Sequence, residues 1–177
     1  MRSEQIPTVI LAAIMAAMFV AAIALPFVNP YGSLIGLDGN AGNIDHSDIW
    51  RGLDPVSAFF YYLGDILCHQ EESRTFILNE NQMYICIRDF SLLTGFLAGC
   101  ITSLMSWDRV KDLDLKRSLF YLALIAITPV EWCIERYTDL DIPAVRSITG
   151  IVTGFAIAIV LTILIKREMS ADNPKSQ

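Results

Sequence analysis

Long uncharged apolar runs alternate with short polar stretches along this chain, and the length of the runs is that of a lipid bilayer. Thr8 to Val28 carries no charge. A second run extends from Phe90 to Trp107, with Cys86 to Asp89 at its entrance. A third goes from Leu119 to about Cys133, and a fourth from Ile148 to Ile165, stopped by Lys166-Arg167. About 20 residues of helix cross a hydrocarbon core of about 30 Å. Each run therefore predicts one spanning helix, at residues 8–28, 87–107, 118–136 and 145–166. Pro129 lacks a backbone donor and predicts a kink in the third. The expected class is an all-α integral membrane protein with four transmembrane helices, residues 1–177 forming one membrane domain.

Basic residues in short loops set the expected orientation. Arg109, Lys111, Lys116 and Arg117 lie between the second and third runs, and Lys166 and Arg167 follow the fourth. These ends are assigned to the cytoplasm. An even number of helices then puts both termini there, and Arg2 agrees. Residues 29–85 become extracytoplasmic, as does the turn Tyr137 to Pro143, while residues 167–177 form a polar cytoplasmic tail. The first run is long for a signal peptide, and no small-x-small cleavage site precedes Asn29, so it is read as uncleaved.

Composition agrees with the pattern. Hydrophobic residues make up 54% of the 177, the charged share is only 18%, and mean hydropathy is +0.47. The net charge of −6, with no basic stripe, excludes a nucleic-acid partner. No Gly-rich phosphate loop, Gly-x-Ser-x-Gly or His-Glu-x-x-His is present. Four cysteines are too few for a disulfide-built scaffold. The expected partners are the lipid bilayer, and other membrane proteins or further copies of the chain.

The segment from Asn29 to Pro55 is rich in Gly, Asn and Asp, which is turn chemistry. Oxygens at Asp38, Asn40, Asn43, Asp45 and Asp48 offer a hard cation an alternative use, without the helix-loop-helix calcium spacing. His46 in this loop is expected to be solvated. Val56 to Leu67, with Phe59-Phe60-Tyr61-Tyr62, predicts an outer interfacial helix, capped by Asp54 with Pro55 in its first turn. Asn79-Glu80-Asn81 predicts a turn.

The candidate chemistry is a polar island from Cys68-His69-Gln70 to Cys86-Ile87-Arg88. Such groups are costly beside spanning segments and mark candidate sites. Cys68, His69, Cys86 and Asp89 supply two thiols, an imidazole and a carboxylate, a ligand set for a zinc-like ion. The adjacency of Cys68 and His69 works against both binding one ion. A Cys68–Cys86 disulfide takes precedence over the metal, since an oxidising outer face permits it. Thiol–disulfide cycling is a third reading. Cys100 and Cys133 are read as packed residues.

Helical spacing extends the island. Arg88, Leu92, Gly95 and Gly99 share one face, as do Thr128, Glu131 and Glu135 on the third helix and Arg146, Gly150 and Gly154 on the fourth. Turned inward, these stripes place Glu131 between Arg88 and Arg146. Gln70, Arg74, Gln82 and Arg136 complete a polar pocket suited to an anionic group.

The ordered residues Cys68-His69-Gln70, Ser73-Arg74-x-Phe76, Asn81-Gln82-Met83 and Cys86-x-Arg88 resemble domain of unknown function 2085, a family of small predicted membrane proteins of archaea and bacteria. The resemblance runs from roughly Pro55 to Ile165, with Glu131, Arg146, Thr149, Gly150 and Gly154 where the family tends to place polar and small residues. Many members have a Cys where this chain has Asp89, which counts against a four-sulfur site. No activity follows from the resemblance. The expected function is an extracytoplasmic binding or assembly module. The alternatives are a small membrane enzyme, redox or metal-dependent, and a transport subunit.

Overall fold

The computed structural model describes residues 3–110, 113–138 and 142–172. Arg2, Lys111 and the tail beyond 172 lie outside the described residues. The chain is mostly helical: α1 Ile6–Val28, the single turn α2 Ser47–Trp50, α3 Pro55–Leu67, α4 Ile87–Met105, α5 Leu115–Thr138 and α6 Pro143–Asp172. Four of these, α1, α4, α5 and α6, are long and apolar enough to cross a membrane. They match the four predicted runs to within a few residues at most ends. The fourth continues beyond the predicted 166, because Lys166, Arg167 and Glu168 are good helix formers and nothing there breaks it. α5 runs unbroken through Pro129.

An all-α reading misses one small element. β1 Ile77–Leu78 pairs antiparallel with β2 Asn81–Gln82, Ile77 opposite Gln82 and Leu78 opposite Asn81. Asn79 and Glu80 both adopt positive φ, 54° and 55°, as a two-residue hairpin turn of the I′ kind requires. Asn tolerates this backbone well; Glu80 does so because it is an exposed tip.

The chain forms two compact units. Ala17–Phe90 is one. Here α3 begins as its sequence predicts: Asp54 accepts from the N–H groups of Val56 and Ser57 at 3.0 and 3.1 Å, and Pro55 fills the first helical position. Its inward face is Ser57, Tyr61, Gly64 and Asp65, whereas Val56, Phe59, Ile66 and Leu67 are exposed. That is the amphipathicity of a water-soluble helix turned inside out, and it suits an apolar surrounding. Irregular chain wraps this helix, and side chains tie it down. Asn81 accepts from Leu34 N–H at 2.8 Å and donates to the carbonyls of Pro26 and Pro30 at 2.8 and 2.9 Å. Gln82 accepts from Leu37 N–H and donates to the Gln70 carbonyl, both at 2.8 Å. Tyr61 donates to the Gln82 carbonyl at 2.6 Å.

The other unit comprises the remaining residues on either side. Its α4 and α6 pack backbone to backbone. A Cβ on Gly95 would overlap the Ile151 carbonyl, and one on Gly154 would overlap that of Leu92. The small stripes predicted on these helices are thus the contact itself. Between α5 and α6, Thr128 donates to Thr153 Oγ1 at 2.8 Å, and Thr153 donates to the Leu124 carbonyl at 3.1 Å. Leu119, Phe120, Leu122, Val130 and Trp132 project outward from α5 while Glu131 is buried. Apolar residues outside and polar ones inside are the order expected in lipid.

Candidate functional site

The end of α3 and the start of α4 bring the island's sulfurs together. Cys68 closes α3, its N–H donating to the Gly64 carbonyl at 2.8 Å, and its backbone turns extended, with φ −140° and ψ 153°. Side chains alternate along extended chain. Cys68 accordingly points inward at 5% exposure and His69 outward; the chain then turns through Gln70, at a left-handed φ of 51°, and buries it at 1%. This is why His69 does not join the cluster: adjacent residues on extended backbone face opposite ways. Cys86 sits one residue before α4, its carbonyl accepting from Phe90 N–H at 2.9 Å. Asp89 is one turn further along, and the Cys86 thiol donates to its Oδ2 at 3.1 Å. The N–H of Cys86 donates to the Cys68 sulfur at 3.2 Å.

Ligand atoms of Cys68, Cys86 and Asp89 all lie within 4.8 Å of one another. Bonds of about 2.3 Å at tetrahedral angles put two sulfurs about 3.8 Å apart around zinc, so a small contraction suffices. Two soft ligands and one carboxylate leave a fourth position open. Both sulfurs are unbonded thiols. The Cys86 thiol is pushed well above the usual range, first by its hydrogen bond with Cys68, then by burial and by the charge of Asp89. A thiol so disfavoured as an anion is poorly suited to nucleophilic attack, but a bound cation reverses the balance.

The rest of the predicted pocket divides by role. Gln70 donates to the Tyr84 carbonyl at 3.0 Å, and Gln82 is engaged with Leu37 and Gln70 as described; both are buried in the scaffold under the cluster. Arg74 pairs with Glu71 at 3.0 Å on the surface, and Arg136 is exposed on the last turn of α5. Arg88 is half-buried on the first turn of α4. Arg146, 1% exposed, donates to Glu135 Oε1 from Nη2 at 2.8 Å and from Nε at 3.2 Å, and Glu131 is buried one turn earlier on α5. Cys100 is buried and Cys133 exposed.

One grouping is not legible in the sequence pattern. Asp65, 3% exposed, accepts from Trp50 Nε1 at 2.7 Å, and His46 Nδ1 stands 3.5 Å from its other oxygen. His46 is therefore packed rather than solvated, because the turn-rich loop folds back onto α3. The available signal was Asp65 itself, an acid inside Gly64-Asp65-Ile66-Leu67. Of the loop's other acids, Asp38 accepts from Glu72 N–H at 2.9 Å and Asp45 from Asn40 N–H at 2.6 Å, while Asp48 pairs with Arg51 at 3.5 Å on the surface.

The model of the family described as predicted membrane protein (DUF2085) matches residues 68–160, more than half of the chain and beginning on Cys68 itself. The chain belongs to this family. A further relative is an uncharacterized protein of Methanocaldococcus jannaschii, 27% identical over 137 residues that cover 74% of this chain and 77% of the relative. No solved structure matches. The DUF2085 match contains all three cluster residues and their supports Gln70 and Gln82, whereas His46 and Trp50 precede it.

Proposed function

We propose that this DUF2085 protein is a membrane-embedded binding module for a zinc-like divalent cation, held by Cys68, Cys86 and Asp89 on the extracytoplasmic face. The observation that supports it is the convergence of two thiols and a carboxylate, from separate elements, within 4.8 Å. Cys68 and Cys86 supply soft donors, Asp89 a hard one, and the open fourth position is where water or a partner's ligand would bind. Gly64, Gln70 and Gln82 act as positioning residues by fixing the backbone on either side of the cluster. The basic ends of the helices, Lys116, Arg117, Lys166 and Arg167, support the assignment of the cluster to the outer side.

The test is metal content of the purified full-length chain. One equivalent is expected in the wild type and in His69→Ala, with loss in Cys68→Ser and Cys86→Ser. Equal content in all four rejects the site. The same sulfurs support a second reading, a disulfide, because the Cys86 amide already touches the Cys68 sulfur. Thiols that resist alkylation after chelation and react only after reduction would establish that form instead.

A further inference from the structure

A second polar recess lies at the other end of α4. Thr102 and Ser103 from α4 and Ser106, just beyond its end, meet Arg117 and Tyr121 from α5 around a cavity of about 360 Å³. Val110, Ile159 and Ile163 form its apolar wall. Among the described residues, no carboxylate lines it. We propose that this recess binds the phosphodiester headgroup of a net-anionic lipid, with the acyl chains running along α6.

Four observations converge on that ligand. Ser103 is 2% exposed, lines the cavity, and its hydroxyl has no hydrogen-bond partner among the described residues. A buried hydroxyl is ordinarily satisfied, so this one marks the place of an acceptor from outside the chain. Second, although Thr102 donates its hydroxyl to the Ala98 carbonyl at 2.8 Å, the lining also carries the Ser103 and Ser106 hydroxyls, the Tyr121 phenol and the Arg117 guanidinium, a set that suits phosphate oxygens. Third, a fixed positive charge stands beside it: Lys166 Nζ donates to the carbonyls of Trp107 and Val110 at 2.8 and 3.0 Å, and Val110 is part of the wall. Fourth, the polar donors and the apolar wall share one cavity. A free phosphate would use only the donors, while a lipid uses both. Basic recesses among helix ends are the usual seats of anionic headgroups.

The test uses the full-length chain reconstituted in vesicles of phosphatidylcholine, or of phosphatidylcholine and phosphatidylglycerol in equal amounts. It is then extracted and its retained lipid measured by mass spectrometry. Phosphatidylglycerol should be retained in preference to phosphatidylcholine. Arg117→Gln should lower that retention about tenfold, the loss expected for one charge-assisted contact. Lys116→Gln, the exposed neighbour outside the cavity, should leave it unchanged. Ser103→Ala keeps the fold and carries an independent readout: lower retention together with a higher unfolding temperature of the lipid-free protein. Equal retention of the two lipids overturns the proposal, as does a loss in Lys116→Gln matching that in Arg117→Gln. If inorganic phosphate displaces phosphatidylglycerol and stabilises the lipid-free protein equally, the recess is a free-phosphate site and the lipid assignment fails.

Discussion

The side chain of Gln82 donates to the backbone carbonyl of Gln70 at 2.8 Å while its own oxygen accepts from Leu37 N–H at the same distance. One amide thus replaces a strand that the local sheet, two residues wide on each side, does not have. Irregular chain buried without water must find partners for its N–H and C=O groups, and Asn81 and Gln82 supply them. Gln82→Ala would strand both partners. At about 1–3 kcal/mol for each buried unsatisfied group, the variant should lose about 2–6 kcal/mol. Thermal unfolding in detergent measures it, and a wild-type melting temperature would show the clamp to be dispensable.

Gly64 is the close approach that lets α3 meet the segment leading into α4. A Cβ there would collide with the Tyr84 carbonyl and with Gln70 Nε2, the two ends of one hydrogen bond. Gly64→Ala should therefore destabilise by about 1–3 kcal/mol through overpacking, with the lost hydrogen bond in addition, although alanine is the better helix former. The cluster should suffer with it: metal content should fall in Gly64→Ala even though no ligand has changed. A variant that melts normally and keeps its metal would separate the scaffold from the site.

What the sequence made legible follows from which forces are local. Four apolar runs read as four helices because length and hydropathy are summed along the chain. Asp54-Pro55 read as a helix start because a cap needs only its own next residues. Cys68 and Cys86 read as candidates because costly groups stand out against an apolar background. Whether His69 stands with them is not legible, because its direction depends on where α3 stops, a backbone turn that composition does not encode. Gln70 and Gln82 resembled pocket residues because amides bind ligands and backbone with the same atoms, and only their long-range partners decide which. His46 looked solvated for a related reason: its neighbour Asp65 is 19 residues away.

Arg146 and Glu135 form a largely buried pair between two helices long and apolar enough to cross a membrane. Removing one member of such a pair costs about 3–5 kcal/mol, because a buried charge then loses its ion-pair partner. Arg146→Met and Glu135→Leu should each destabilise strongly, and the double variant should lose much less than the sum. Unfolding temperatures of the four proteins in one detergent close the cycle. Strict additivity would show that the two side chains act through other partners.

Asp54 gives α3 a pH-dependent start. Its carboxyl is held below the usual range, first by the Ser57 side chain and then by the N–H groups of Ser57 and Val56. A lowered pKa in the folded state means the cap's contribution is present above the unfolded value of about 3.9 and fades as pH falls through the folded value. Asp54→Ala should cost about 1 kcal/mol at neutral pH. Asp54→Asn should keep most of the cap and remove its acid sensitivity. The difference in melting temperature between wild type and Asp54→Asn is the measurement: it should shrink or change sign toward strong acid, and a constant difference would discount the carboxylate.

The cluster itself should bind its ion against protons. Burial, Cys68 and Asp89 keep the Cys86 thiol protonated when no cation is present, and a metal binds only the thiolate. Each thiol that must ionise releases one proton, so affinity should rise by about tenfold per pH unit for each. With two thiols the slope approaches twice that of one, and Cys68→Ser should halve it while weakening binding. Asp89→Cys replaces the hard ligand by a third soft one; it should tighten zinc, steepen the slope by about one further proton, and loosen any preference for harder ions. Competition against a chelating dye between about pH 6 and pH 8 reads all three slopes over a range below the ordinary thiol pKa of about 8.5. An affinity flat with pH would mean that the thiols are not ligands. A slope in Asp89→Cys equal to that of the wild type would mean that position 89, one helical turn from Cys86, does not reach the ion.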